Sequence, residues 1–158
     1  MEMTSLRDEQ AFPRFMKCPD ENDIPDFYYG QRADGIYAPV RHWCFLGEIT
    51  EKGVFNRLCL RVRDREGVVV SANFHLDSSG CGMRVFTPGM SNFPTHPNVP
   101  EPLVKEGSTI AILYGNQHSF MDGSEGFRIE VADSVQVETL CFSGGSFIEV
   151  TGLLVLSL

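Results

Sequence analysis

The stretch from Trp43 to Asp77 constrains this chain more than any other. Phe45, Gly47 and Ile49 alternate with Leu46, Glu48 and Thr50, and Leu58, Leu60 and Val62 alternate with Cys59, Arg61 and Arg63. A period of two sends successive side chains to opposite faces of a sheet, so each run buries one face and wets the other. Asp64-Arg65-Glu66-Gly67 follows with turn chemistry, Gly67 being free to take a positive φ, and Val68-Val69-Val70 restarts a strand at once. Strand, loop, strand, hairpin, strand in that order predicts the wall of a small β-barrel. Gly47 inside the first run predicts a bulge or sharp bend, as barrels need, and Glu51-Lys52-Gly53 is expected to turn the chain.

Residues 1–40 are a different kind of sequence. Pro13, Pro19, Pro25 and Pro39 interrupt any periodic pattern, and eight acids stand against Arg7, Arg14, Lys17 and Arg32, a net of −4. Phe12, Phe15, Phe27, Tyr28, Tyr29 and Tyr37 are too many aromatics for a plain solvated tail. The expectation is an irregular acidic arm over 1–40 packed on a barrel formed by 41–158; the alternative is an arm that orders only on contact with a partner. Asp77 to Pro102 holds five prolines and three glycines, so it reads as a long irregular loop rather than a helix. Ser108 to Tyr114 is the fourth strand, apolar on both faces, and Gly115 to Ser119 is a loop carrying His118. Phe127 to Val131 and Ser134 to Val137 are short strand candidates. Residues 141–146 form a flexible joint, and Phe147 to Leu158 forms a last apolar strand.

A chain of 158 residues predicts one domain, and 42% hydrophobic residues argue against global disorder. The net charge of −8 disfavours general affinity for phosphate backbones unless positive charge is clustered. The five cysteines are odd in number and contain no C-x-x-C pair, which predicts buried free thiols in a reducing compartment rather than a disulfide framework or zinc site. The first ten residues lack the apolar core of a secretory signal, and the longest apolar run, Leu153 to Leu156, is too short for a bilayer. No membrane association is expected, and the expected location is intracellular, cytoplasmic or nuclear. Nothing points to a cofactor.

The order of the pieces resembles an OB-fold. In that family a strand with a central glycine precedes a second strand that runs into an LRxRDxxG-type hairpin, here Leu60 to Gly67, and the fourth strand opens with a Lys/Glu-Gly pair, here Lys105-Glu106-Gly107. The resemblance covers about residues 43–138 and implies an all-β, OB-like barrel of five to six strands. It departs from the family where the proline-rich stretch replaces the usual helix between strands three and four. A narrower likeness lies in Gly107 to Gly123, with its His118-x-Phe120-x-Asp122-Gly123 core, and in Gly126 to Glu130. This segment is similar to one in fungal proteins whose small β domain precedes a MYND-type zinc finger. The finger needs a Cys/His cluster after residue 138, and only Cys141 is there, so zinc binding does not carry over.

Three sets of residues are candidates for function. Arg57, Arg61, Arg63 and Arg65 put net +3 on the stretch 57–65, Asp64 included. In OB-folds the face on strands two and three takes single-stranded nucleic acid, with aromatic platforms beside the cations, for which Phe74, Phe55 and Phe86 are candidates. The competing reading is a solvated face whose arginines pair with Glu48, Glu66 or the acidic arm. His75-Leu76-Asp77 with the distal His118, and Arg128 ten residues on, has the spacing of a non-haem iron triad, though the chain is short for an oxygenase barrel. His118 and Asp122 flank a turn and are expected to hold the connection between the fourth and fifth strands. Cys44 and Cys59 are expected to pack on neighbouring strands. The expectation for function is a non-catalytic module that binds a protein; single-strand nucleic-acid binding through the arginine face is the first alternative, and a small iron oxygenase the second.

Overall fold

The computed structural model describes residues 5–23, 25–54, 57–75, 104–130 and 135–138, together with short pieces at 142–143 and 146–147. Eleven strands and one 3₁₀ turn (Phe15–Lys17) make up the regular structure of these residues. β1 (Tyr29–Gln31) and β2 (Tyr37–Pro39) form a hairpin in the arm. The main sheet contains β3 (Cys44–Val54), β4 (Leu58–Arg63), β5 (Val69–Phe74), β6 (Thr109–Leu113), β7 (Gln117–Ser119), β8 (Glu125–Ile129) and β9 (Val135–Glu138). Its order is β7-β8-β5-β4-β3-β6-β9, antiparallel throughout except for the parallel pair β5·β8. β10 (Phe142–Ser143) and β11 (Ser146–Phe147) pair with each other, where a flexible joint was expected.

β3 explains how the sheet bends. Its first half, Cys44 to Glu48, pairs with β6; its second half, Glu48 to Val54, pairs with β4. One long strand therefore serves two neighbours, and the register shifts between Ile49 and Glu51 as it changes partner. The expected turn at Glu51-Lys52-Gly53 does not form. Past the shift, these residues stand opposite Arg61, Leu60 and Cys59, and the strand runs on to Val54. Gly47 is needed for close packing rather than as the bulge itself: a Cβ there would come within 2.8 Å of the Phe45 ring.

β8 and β9 lie near opposite ends of the ladder order, yet only residues 130–134 separate them. Phe127 and Ile129 of β8 and Val135 of β9 share one buried cluster with Phe45, Ile49, Leu60, Val62, Ile110 and Ile112. The sheet is therefore curled around a single core. Its order, its split first strand and its parallel β5·β8 pair give an all-β, OB-like fold. β7 is an added strand, in the segment expected to be a loop. Gly126 makes the parallel pair possible, since any Cβ there would lie 2.1 Å from the Ser71 carbonyl oxygen.

The arm contributes to the core. Phe15 is 1% exposed and meets Phe127 edge-on at 5.3 Å. Trp43, also 1% exposed, is packed by Tyr28, Tyr29 and Tyr114, and its indole Nε1 donates to the Gly115 carbonyl at 3.1 Å. The Cys44 amide donates to Ala11 O, and Tyr28 Oη to Gln10 O. Further along, residues 19–21 run beside β7: Gln117 N donates to Pro19 O at 2.7 Å and Glu21 N to Gln117 O at 3.2 Å.

Candidate binding faces

The alternation read in β4 holds residue by residue. Leu58, Leu60 and Val62 are buried, while Arg61 and Arg63 are exposed on the other face. Across the sheet the outer face continues in rows. Glu48, Arg63 and Val69 form one row; Glu51, Arg61, Ser71, Gly126 and His118 form the next; Cys59, Asn73 and Arg128 form a third.

The arginines on and around this face have partners within the chain. Arg63 Nη2 donates to Glu48 Oε2 at 2.8 Å. Arg61 Nη1 donates to Ser71 Oγ at 3.2 Å, and Arg57 contacts His75 Nδ1. Arg65 Nη2 donates to Phe12 O at 2.7 Å and lies 3.9 Å from Glu9, so it holds the arm rather than facing solvent with the others. Arg128 pairs with Glu130 at 2.8 Å. Arg65 is thus set apart from Arg61 and Arg63 as an arm clamp.

Asp64 is the residue that sequence reasoning undervalued. In sequence it reads as turn chemistry, and Gly67 does take φ +88°, but Asp64 is 5% exposed and its carboxylate does more than turn the chain. Oδ1 accepts from Glu66 N and Val68 N, both at 2.9 Å, and Oδ2 accepts from the buried Phe15 N at 3.1 Å. Arg14 and Glu66 form an ion pair beside it. The only signal in sequence was an acid flanked by arginines at a hairpin; its arm partner, 49 residues away, is not a local feature.

Phe74 is not a stacking platform on the arginine face. It is 4% exposed and points into the core, because β5 alternates in step with β4 and puts Val70, Ala72 and Phe74 inside. Phe55 and Phe86 lie outside the described residues. Among the described residues, Phe120 does reach the outer face. Its ring lies over the bare Cα of Gly126, with Cε2 3.1 Å from where a Cβ would stand, and edge-on to His118 at 4.7 Å. Reading Gln117–Ser119 as a strand would have revealed it, since alternation then puts His118 and Phe120 on one face.

His75 and His118 are not brought together. Continuing the β5·β8 register, His75 stands level with Glu130, whereas His118 is opposite Gly126 and one strand further out. Four residues along and two strands across is about 15 Å, far beyond two ligands of one metal ion. Asp77 lies outside the described residues. His118 Nδ1 sits 2.6 Å from the Glu21 carboxylate, tying the arm to β7. Asp122 closes the β7–β8 turn: Ser124 N and Oγ donate to its Oδ1 at 2.9 and 2.7 Å, and these bonds hold its carboxyl below the usual carboxylate range. Gly123, at φ +82°, completes the turn.

The thiols of Cys18 and Cys44 are pushed up to about 12, chiefly by burial, which leaves them protonated and unreactive. Cys59 is also raised by burial, on the outer face. Tyr114 takes a left-handed φ of 54° where β6 ends; its hydroxyl bonds His42 Nδ1, and burial raises its pKa, so it is no activated nucleophile.

No family model matches the chain, and no curated protein matches it. Among solved structures it is similar to a chain of the crystal structure of the S. pombe Stn1-ten1 complex, with 15% identity, 73% of this chain and 68% of that chain covered, and a TM-score of 0.39. A likeness of that size carries no functional argument; the strand order carries the fold.

Proposed function

We propose that this chain is a non-catalytic binding module whose partner is a protein. One observation carries the reading: two of the four cations of the β4 region are already matched by the chain's own acids, Arg63 by Glu48 and Arg65 by Glu9 with the Phe12 carbonyl. With a net charge of −8, a polyanion would have to displace those partners against the field of the whole molecule. The three described cysteines are free, in keeping with a reducing compartment, cytoplasm or nucleus. The likeness of residues 107–130 to a β domain that precedes fungal MYND fingers is also in keeping with an interaction role. The test is fluorescence anisotropy with short labelled single-stranded DNA and RNA at low salt, alongside crosslinking capture compared with an unrelated acidic OB-like protein. Specific crosslinked proteins and no anisotropy change are expected; saturable oligonucleotide binding would overturn the proposal.

One observation favours a second reading. Phe120, half-buried over Gly126, shares the outer face with Arg61 and Arg128, the pairing of ring and cation that single-stranded nucleic acid uses. If that reading holds, oligonucleotide binding is salt-dependent, and it is lost both in Phe120→Ala and in Arg61→Glu/Arg63→Glu.

A further inference from the structure

The outer edge of β7 is half filled by the chain itself. In a ladder, alternate residues turn their backbone groups to opposite sides. Gln117 N donates to Pro19 O at 2.7 Å and Gln117 O accepts from Glu21 N at 3.2 Å, so Gln117 faces the arm, while Phe120 N turns the other way and donates to Ser124 O. Ser119, two residues on from Gln117, therefore faces the arm side as well. The arm does not meet it there. After the parallel bridge of Asp20 with Gln117, the chain turns back on itself: Asp20 Oδ1 accepts from Asn22 N at 2.7 Å, and Asp20 O accepts from Asp23 N at 3.2 Å. The next rung of a parallel ladder, Ser119 N to Glu21 O, is not made, and Ser119 is exposed.

What the arm does place on β7 shows the chemistry this edge accepts. Glu21 lies level with His118, and its carboxylate sits 2.6 Å from His118 Nδ1. In a strand that kept this parallel register, the residue two after Glu21 would lie level with Phe120 and on the same outward face. Phe120 is half-buried, its ring edge-on to His118. Asp23 holds that place in the sequence, but the Asp20 turn takes it away, and residues 21–23 are all exposed. The firm anchors of the arm here are the buried Pro19 and Tyr28 on either side.

We propose that the outer edge of β7 is a strand-addition site for an extended protein segment that runs parallel to β7 in the place of residues 20–23, with an acid at His118 and an apolar side chain two residues later against Phe120. Such a strand takes Gln117 O, Ser119 N and Ser119 O, three backbone bonds where residues 20–23 of the arm make one. Main-chain bonds of this kind supply affinity, and the alternate side chains supply selectivity. The arm is then a built-in competitor that keeps an open edge from pairing at random. This rests on the protein-binding reading above and names its site and the chemistry of its partner.

The test is selection of a random peptide library displayed on phage against the intact chain, with the selected peptides then synthesised and titrated by isothermal calorimetry. Peptides with an acid followed two residues later by an apolar residue are expected to be enriched, and to slow hydrogen exchange of the Ser119 amide in the wild type. Ser119→Pro removes the outward N–H while sparing the bonds to β8, and should lower their affinity at least tenfold. Glu21→Ala weakens the competing arm and should raise it about threefold or more, and His118→Ala should erase the preference for the acid. Peptides that leave Ser119 exchange unchanged, or that bind the Ser119→Pro variant as tightly as the wild type, would overturn the edge site while leaving protein binding in place. Should Ser119→Pro fail to fold, the exchange of Ser119 in the wild type decides alone. An affinity that Glu21→Ala leaves unaltered or lowers would overturn the proposal too, and so would a selection that enriches nothing. If oligonucleotides also bind in that last case, the broader reading falls with it.

Discussion

Replacing Asp64 is the sharpest test of how the arm is held. Its carboxylate is buried and accepts three backbone N–H groups, two from its own turn and one from Phe15. In Asp64→Ala the exposed Glu66 amide and the half-buried Val68 amide can turn to water, so their loss costs about 1–1.5 kcal/mol together, near one net hydrogen bond. The Phe15 amide cannot, because the residue it belongs to is 1% exposed; a dry, unpaired donor that loses a charged acceptor costs about 2–3 kcal/mol. The sum is about 3–4.5 kcal/mol, or a drop in Tm of roughly 10 °C for a domain of this size. Asp64→Asn separates the two parts. Its carbonyl can keep the turn, but its amide then faces the Phe15 N–H donor to donor, so about 2 kcal/mol is expected to go. Denaturant unfolding gives the stabilities, and amide hydrogen exchange at Phe15 reports the arm directly. If Asp64→Ala costs less than about 1 kcal/mol and the Phe15 amide stays protected, the carboxylate is not what anchors the arm.

Other expectations are simpler to state. Phe15→Ala should cost about 3–5 kcal/mol, because it empties a place in the core against Phe127, and thermal unfolding checks it. Gly126→Ala should fail to give a soluble fold, since its Cβ has no room beside the Ser71 carbonyl; expression with size-exclusion chromatography is the measurement. Cys18 and Cys44 ionise near 9 when unfolded and near 12 when folded, so above about pH 9 the unfolded chain releases protons that the native chain keeps. Stability is full below that pH and falls as the pH climbs toward 12, and a Cys18→Ser/Cys44→Ser variant should show a shallower fall in urea titrations across that range. Arg63→Ala should change stability by less than about 1 kcal/mol, because its pair with Glu48 is about half exposed.

The barrel wall was legible because its information is local. Leu58 to Arg63 alternates strictly, the Asp64–Gly67 turn is spelled out, and β6 opens after Gly107, which takes φ +84°. Sequence reasoning lost accuracy where long-range pairing sets the outcome. Glu51-Lys52-Gly53 has turn composition but is kept in a strand by β4, and Gln117–Ser119 is a strand because β8 and residues 19–21 of the arm flank it. The candidate site shows the same division. Alternation puts Arg61 and Arg63 outside, and the same alternation in β5 turns Phe74, a candidate platform for that face, inward. Pairing of the arginines with Glu48 or the acidic arm was legible from charge and holds for Arg63 and Arg65, but the hold of Asp64 on the Phe15 amide was not, since the two lie 49 residues apart.

Phe15 and Phe127 come from opposite regions of the chain, and so do Glu21 and His118. During synthesis, at about 5–20 residues per second, the emerging arm must therefore wait several seconds for its seat on β7 and β8 to leave the ribosome. Through that interval Phe15, Trp43 and the apolar side of β3 remain uncovered, which makes the nascent chain a natural client for chaperones and predicts slow, late-committing refolding in vitro.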